Sequence, residues 1–147
     1  MADNGNGNPN VYDPTSFLPL MRKCKQALEE GFDVAIFPEG QLNPHPELGL
    51  LPVFGSAFKL ARKSKRNIHM IGLYGVHRLW HPLDGMKPTS RRIKVKVYPG
   101  GRTFSSQEEF CDTFSHVVGP FGSCGEDVDD LVQWLDGSAY HDQHASS

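Results

Sequence analysis

Three groups of side chains in this sequence have types and spacings suited to chemistry. Glu39 follows an apolar run, residues 34–37, inside Pro38-Glu39-Gly40, which sets a carboxylate at the head of a proline-rich loop. Lys59, Arg62, Lys63, Lys65 and Arg66 place five cations within eight residues, and Arg91, Arg92, Lys94 and Lys96 add four more downstream. His77, His81 and Asp84 lie together in HRLWHPLDG. A carboxylate beyond a strand can organise a binding pocket or a neighbouring base. Clustered cations hold phosphates, each contributing about 1 kcal/mol near an anionic membrane surface. Histidines four apart share a helix face and ligate zinc in some enzymes.

Each group also has a plainer reading. Glu39 can be a turn residue, and Pro38 and Gly40 make a turn under either reading. The cations can form a solvated helix face. Glycine and proline on both sides of the histidine segment make it a loop, without a shared helix face or a third ligand, so its histidines read as ordinary loop residues. Leu79 and Trp80 beside them suit either a lipid interface or a packed core. Cys24 falls on an apolar stripe, and Cys111 and Cys124 have no base visible beside them, so none reads as a nucleophile.

The elements that must position these groups follow from periodicity. Phe17, Leu20, Met21, Cys24, Ala27 and Leu28 recur at helical steps, with Thr15 or Ser16 available to cap the start, Pro19 in the first turn and Gly31 after the end. Residues 32–37 form a nearly continuous apolar run stopped by Pro38, which predicts a strand covered on both faces and therefore parallel. The long loop 41–52 contains Pro44, Pro46, Gly49 and Pro52, and Phe54, Ala57, Phe58 and Ala61 then mark a second helix, closed by Asn67. Residues 68–74 predict a second strand, and 75–90 an irregular segment. The alternation in residues 93–98 predicts a third strand with its apolar face packed and its lysine face wet. Ser105 and Ser106, with Glu108 and Glu109, supply either of two capping boxes for a helix carrying Phe110, Phe114, Val117 and Val118 as far as Gly119-Pro120. Val128, Leu131, Val132 and Leu135 predict a short acidic helix before a polar tail.

The predicted fold class is α/β, a partial three-layer arrangement of three mostly parallel strands with flanking helices. Three strands leave open edges, which predicts association through an exposed sheet edge. With 147 residues the chain is long enough for one domain with a real core. A net charge of −2 and a pI near 6.4 argue against a nucleic-acid coat, so any basic surface is local. Three irregularly spaced cysteines without a CxxC pair predict reduced thiols. Residues 1–12 are polar and rich in glycine and asparagine, which predicts a disordered lead-in. No apolar run approaches the roughly 20 residues needed to cross a bilayer, while surface attachment stays open.

FPEG followed by a loop and then LLPVFGSAFKLA resembles the third signature block of the glycerolipid acyltransferases, the lysophosphatidate and glycerol-3-phosphate acyltransferase family. The likeness extends from Val11 to about Thr113. Val11-Tyr12-Asp13 is similar to the end of the family's second block, 68–74 stands where its apolar fourth block lies, and 93–99 takes the place of a later strand. This resemblance implies a partial acyltransferase domain over 13–120, followed by the short helix and tail of 121–147. It implies transfer of an acyl group from acyl-CoA or an acyl carrier to the hydroxyl of a lysophospholipid or glycerol phosphate, with no resident cofactor. Pro38, Glu39, Gly40 and Gln41 would contact substrate; the charge cluster itself, not the resemblance, makes Lys59, Arg62, Lys63 and Arg66 candidates to face a lipid head group or phosphate. It also implies residence on the cytoplasmic side of the endoplasmic reticulum or another organelle's membrane.

The family's base is a histidine in an H-x-x-x-x-D motif, which activates a hydroxyl that is otherwise a poor nucleophile. The residues five positions after His45, His69, His77, His81, His116 and His141 are Leu50, Tyr74, Pro82, Met86, Phe121 and Ser146, so the motif is absent. Gln41-Leu42-Asn43 replaces the Thr-Arg-Ser of the third block, Pro14 replaces the second-block arginine, and Gly72 stands where the fourth block has proline. The expectation is therefore the carboxyl-terminal part of such a domain, inactive alone. The alternative is a non-catalytic module that binds lipid phosphate or a partner.

Overall fold

A computed structural model describes residues 17–81, 83, 85–86 and 92–145. Helix α1 (Phe17–Glu29) ends as its pattern predicts, with Gly31 at φ +91° beyond its last turn. The predicted caps Thr15 and Ser16 lie outside the described residues. Helix α1 has no buried residue and rests chiefly against α2 (Ser56–Ser64), where Phe58 and Leu60 are buried. Helix α2 stops three residues short of Asn67. Lys65 closes it in the left-handed conformation at φ +51°, and its N–H bonds the carbonyls of Ala61 and Arg62.

The sheet corrects the predicted fold class. Strand β1 (Ile71–Tyr74) pairs with β4 (Lys94–Val97), and the pairing is antiparallel, with Ile71 opposite Val97 and Leu73 opposite Val95. A bridge between Ile68 and Arg102 extends the ladder. Between them lie a single-turn helix α3 (Val76–Leu79) and a small hairpin of β2 (Trp80–His81) with β3 (Gly85–Met86). Parallel strands need a crossover, usually a full helix; a turn and hairpin instead return the chain antiparallel. The described residues are thus helix-rich with two small antiparallel sheets, not a mostly parallel three-layer sheet.

Residues 32–37 form no strand. Phe32 and Phe37 are 64% and 78% exposed, so the buried parallel strand predicted there is also corrected. An apolar run permits a covered strand but supplies no partner, and among the described residues no strand pairs with it.

The third predicted strand is present but faces the other way. Val95 and Val97 are each 63% exposed, and Ile71 and Leu73 share their outward face. The lysines occupy the helix side. Lys94 Nζ donates to the Gly125 carbonyl at 3.0 Å, and Lys96 pairs with Asp127. Gly72 explains the inversion, because the long helix α4 (Gln107–Cys124) lies so close there that an added Cβ would sit 2.6 Å from Phe121 Cδ1. The lysines then reach past the end of that helix to the acidic turn.

Helix α4 is the spine. Phe110 joins Phe58 and Phe104 in one cluster, while Val117 and Val118 join Met70, Tyr98, Trp134 and Tyr140 in the other. Its start was legible: Ser106 Oγ accepts the Glu109 N–H at 3.0 Å. Its predicted end was not, for the helix continues through Pro120 to Cys124 before Gly125 caps it at φ +77°. Buried Val117, Val118 and Phe121 offset the roughly 3 kcal/mol that an interior proline costs. Helix α5 (Leu131–Asp136) is the expected acidic helix, and α6 (Ser138–Ala145) occupies part of the expected polar tail, anchored by buried Tyr140.

Candidate functional site

Residues 37–40 form a tight turn, with the Gly40 N–H donating to the Phe37 carbonyl at 3.1 Å and Gly40 at φ +68°. Pro38 is buried, and its carbonyl accepts the Phe54 N–H at 2.8 Å. The Glu39 carboxylate is half-buried and turned toward its own loop. Its Oε2 accepts the Leu51 N–H at 2.7 Å and the Asn43 side-chain amide at 3.3 Å. Asn43 also donates to the Gly49 carbonyl at 2.7 Å and accepts the His45 N–H at 2.9 Å. Glu39 therefore clamps both ends of the proline-rich loop. Gln41 is exposed.

The cations separate into two clefts. Lys59, Arg62 and Lys63 line one of about 600 Å³, opposite Ser105, Ser106, Gln107 and Glu108 at the start of α4, with Phe58 at its base. None of the three cations has an ion-pair partner among the described residues, and Glu108 is the single carboxylate in the wall. A second cleft of about 180 Å³ brings Lys25 of α1 beside Lys63, Lys65 and Arg66. There Arg66 donates to the Leu28 carbonyl at 3.0 Å, and Lys25 pairs with Glu29 at 3.2 Å. Pro38, Glu39, Gly40 and Gln41 line neither cleft. The substrate-contact residues and the head-group residues expected from the sequence thus share no cleft. Lys94 and Lys96 belong to neither, being engaged beneath the sheet, and Arg91 lies outside the described residues.

Behind the large cleft, a buried network fixes the start of α4. Glu109 is 1% exposed, and its Oε1 accepts from Arg102 at 2.6 Å while its Oε2 accepts the Ser105 N–H and hydroxyl, each at 2.6 Å. Burial pushes the Glu109 carboxyl upward, but the bonds from Ser105 and Arg102 together outweigh burial and hold it below the ordinary value of 4.5. The wall that faces the cations is thus tied to the buried Arg102–Glu109 pair.

The histidines take other roles. Glu47 lies 3.4 Å from His45 Nδ1 and 3.6 Å from His81 Nε2, bridging the proline-rich loop to β2. A backbone N–H, aided by these two imidazoles, holds its carboxyl below the usual range despite the opposing effect of burial. Burial, and then the Arg78 charge, push His77 down. Asp84 lies outside the described residues, and among those described no three His, Cys, Asp or Glu side chains group to hold a metal ion. Trp80 is exposed and Leu79 barely so, which removes the packed-core reading of that pair. Burial raises the Cys111 thiol, whose Sγ lies 3.4 Å from the Val53 carbonyl, leaving it a poor nucleophile.

One histidine–aspartate pair leaves no mark in the sequence pattern. His116 Nε2 lies 2.9 Å from Asp130 Oδ1, Asp130 Oδ2 accepts Trp134 Nε1 at 2.9 Å, and the imidazole stacks on the indole at 4.4 Å. Fourteen residues separate the pair, so no linear motif reveals it. Among the described residues neither imidazole nitrogen bonds a serine, threonine or cysteine, and the trio ties α5 to α4.

No helix among the described residues is long and apolar enough to cross a membrane. Comparison with known protein families, with curated proteins and with solved structures finds no match.

Proposed function

We propose that the chain is a non-catalytic module that binds phosphate-bearing anions, acting at a membrane surface on lipid head groups. The observation that carries this reading is the cleft of Lys59, Arg62 and Lys63, three cations that among the described residues have no ion-pair partner and face one carboxylate, Glu108. At about 1 kcal/mol per cation near an anionic surface, three supply roughly 3 kcal/mol, enough for reversible and salt-sensitive attachment. Vesicles containing phosphatidic acid should bind the protein, vesicles of phosphatidylcholine alone should not, and Lys59→Glu with Lys63→Glu should reduce binding at least tenfold. Binding indifferent to salt and to both substitutions overturns the reading.

A second reading, acyl transfer from acyl-CoA to a lysophospholipid or glycerol phosphate by a larger parent domain, rests on FPEG and its flanking segments. The turn at Pro38-Glu39-Gly40 and the loop it clamps supply a rigid platform, which favours it. With no H-x-x-x-x-D motif, this chain incubated with labelled acyl-CoA and lysophosphatidate should transfer nothing. Turnover would refute the claim that the base is missing.

A further inference from the structure

We propose that Ser105 is a phosphorylation site for a serine/threonine kinase that selects acidic substrates, and that the cleft of Lys59, Arg62 and Lys63 receives the phosphoserine and is thereby closed to other anions. The regulatory consequence rests on the anion-binding reading above.

Two adjacent serines line the cleft, and their surroundings distinguish them. Ser105 is exposed, precedes α4, and has an exposed carboxylate, Glu108, three residues onward for an acid-selective kinase to read. Ser106 is less open. Its hydroxyl accepts the Glu109 N–H, and the acid three residues after it is Glu109 itself, buried and held by Arg102. The kinase chemistry therefore fits Ser105.

In the reaction, Ser105 Oγ attacks the γ-phosphorus of Mg-ATP. An Oγ–P bond forms, the bond from that phosphorus to the β-phosphate oxygen breaks, ADP leaves, and the hydroxyl proton passes to the kinase's base. The phosphoester cannot donate, so the bond from Ser105 Oγ to Glu109 is lost. Glu109 keeps the Ser105 N–H on Oε2 and Arg102 on Oε1, each at 2.6 Å, and the cap of α4, made by the Ser106 hydroxyl, does not involve the modified oxygen. The new group brings about −1.5 to −2 charges to a place faced across the cleft by three cations, with Glu108 in the same wall, and backed by Glu109, whose carboxylate is paired with Arg102. Charge-assisted bonds from arginine and lysine are the strong ones, and here the donors already face the modified residue across the cleft.

The test uses the full chain, an acid-selective serine/threonine kinase and Mg-ATP. Fragment mass spectra should place phosphate on Ser105, with none there in Ser105→Ala and less after Glu108→Gln. The 31P resonance of the phosphoserine should titrate about half a unit below a free phosphoserine, returning toward it when Arg62→Gln and Lys63→Gln are combined. Binding to phosphatidic acid vesicles should fall at least tenfold on phosphorylation. Phosphate on Ser106 alone, or a 31P titration indifferent to the cleft substitutions, overturns the inference. So does vesicle binding that survives phosphorylation while remaining sensitive to Lys59→Glu with Lys63→Glu. If the unmodified protein ignores anionic vesicles, the anion-binding reading falls instead, and the 31P titration still decides whether the cleft receives Ser105.

Discussion

Glu109 makes the clearest residue-scale prediction. Its folded carboxyl is held below the ordinary 4.5 of the unfolded chain, so its contribution is fully present above about pH 4.5 and is lost as pH falls through the lower folded value. Denaturant titrations from neutral pH to about 3 should show this acid-side loss, and Glu109→Gln should flatten it. At neutral pH the same substitution should cost about 3 kcal/mol, since it breaks a buried pair and leaves Arg102 without its anion. Glu39 makes a second prediction of a different kind. Glu39→Ala should release residues 41–50 to limited proteolysis while lowering global stability by only about 1–2 kcal/mol, the loss of hydrogen bonds in a half-buried loop. Cleavage no faster than in the wild type would remove the clamp. These residues also show what the sequence made legible. Ser106 and Glu109 interact three positions apart, within the reach of one helical turn, so their spacing announced them. The apolar run before Glu39 suggests a carboxylate at a strand end, where pockets form, but its partner at Leu51 lies twelve residues away and leaves no trace in the local pattern.

At the scale of elements, the contact of β1 with α4 is the one to disturb. Gly72→Ala places a methyl group against the Phe121 ring and should cost about 1–3 kcal/mol, read as a lowered denaturation midpoint. Gly72→Ala combined with Phe121→Leu should recover part of the loss, and no recovery would mean that the Phe121 ring is not what the added methyl group meets. The same contact explains a misreading of β4. Alternation in residues 93–98 correctly predicted a two-faced strand, but apolar-in and polar-out was only a default. Lys94 and Lys96 lie on the helix side because their long stems carry the charge past it to Glu126 and Asp127. Residues 32–37 failed for a related reason. A run of apolar residues specifies a surface to be covered, and whether another strand is at hand is decided by connections elsewhere in the chain. Helices α1, α2 and α4 were legible at their starts or along their faces because the 3.6-residue period is local. The passage of α4 through Pro120 depended on Val117, Val118 and Phe121 finding a shared core.

For the whole molecule, a formal charge of −2 conceals a polar distribution. Lys59, Arg62, Lys63, Lys65 and Arg66 lie along and just beyond α2, while Glu126, Asp127, Asp129, Asp130 and Asp136 surround α5. Such an object is oriented by a field even when its average charge is small. Attachment to anionic vesicles should consequently weaken steeply as salt rises through the range where the screening length falls to about 10 Å. The antiparallel sheet has a further practical consequence. Ile71, Leu73, Val95 and Val97 turn an unbroken aliphatic stripe toward water, on the side away from every helix that buries the other face. Ions excluded from protein surfaces raise the cost of keeping such a stripe wet. The protein should therefore salt out at lower ammonium sulfate than Val95→Thr with Val97→Thr, a pair that keeps branched side chains suited to a strand. The handling of the purified chain, from storage concentration to choice of precipitant, would then be governed by four aliphatic side chains, not by its net charge.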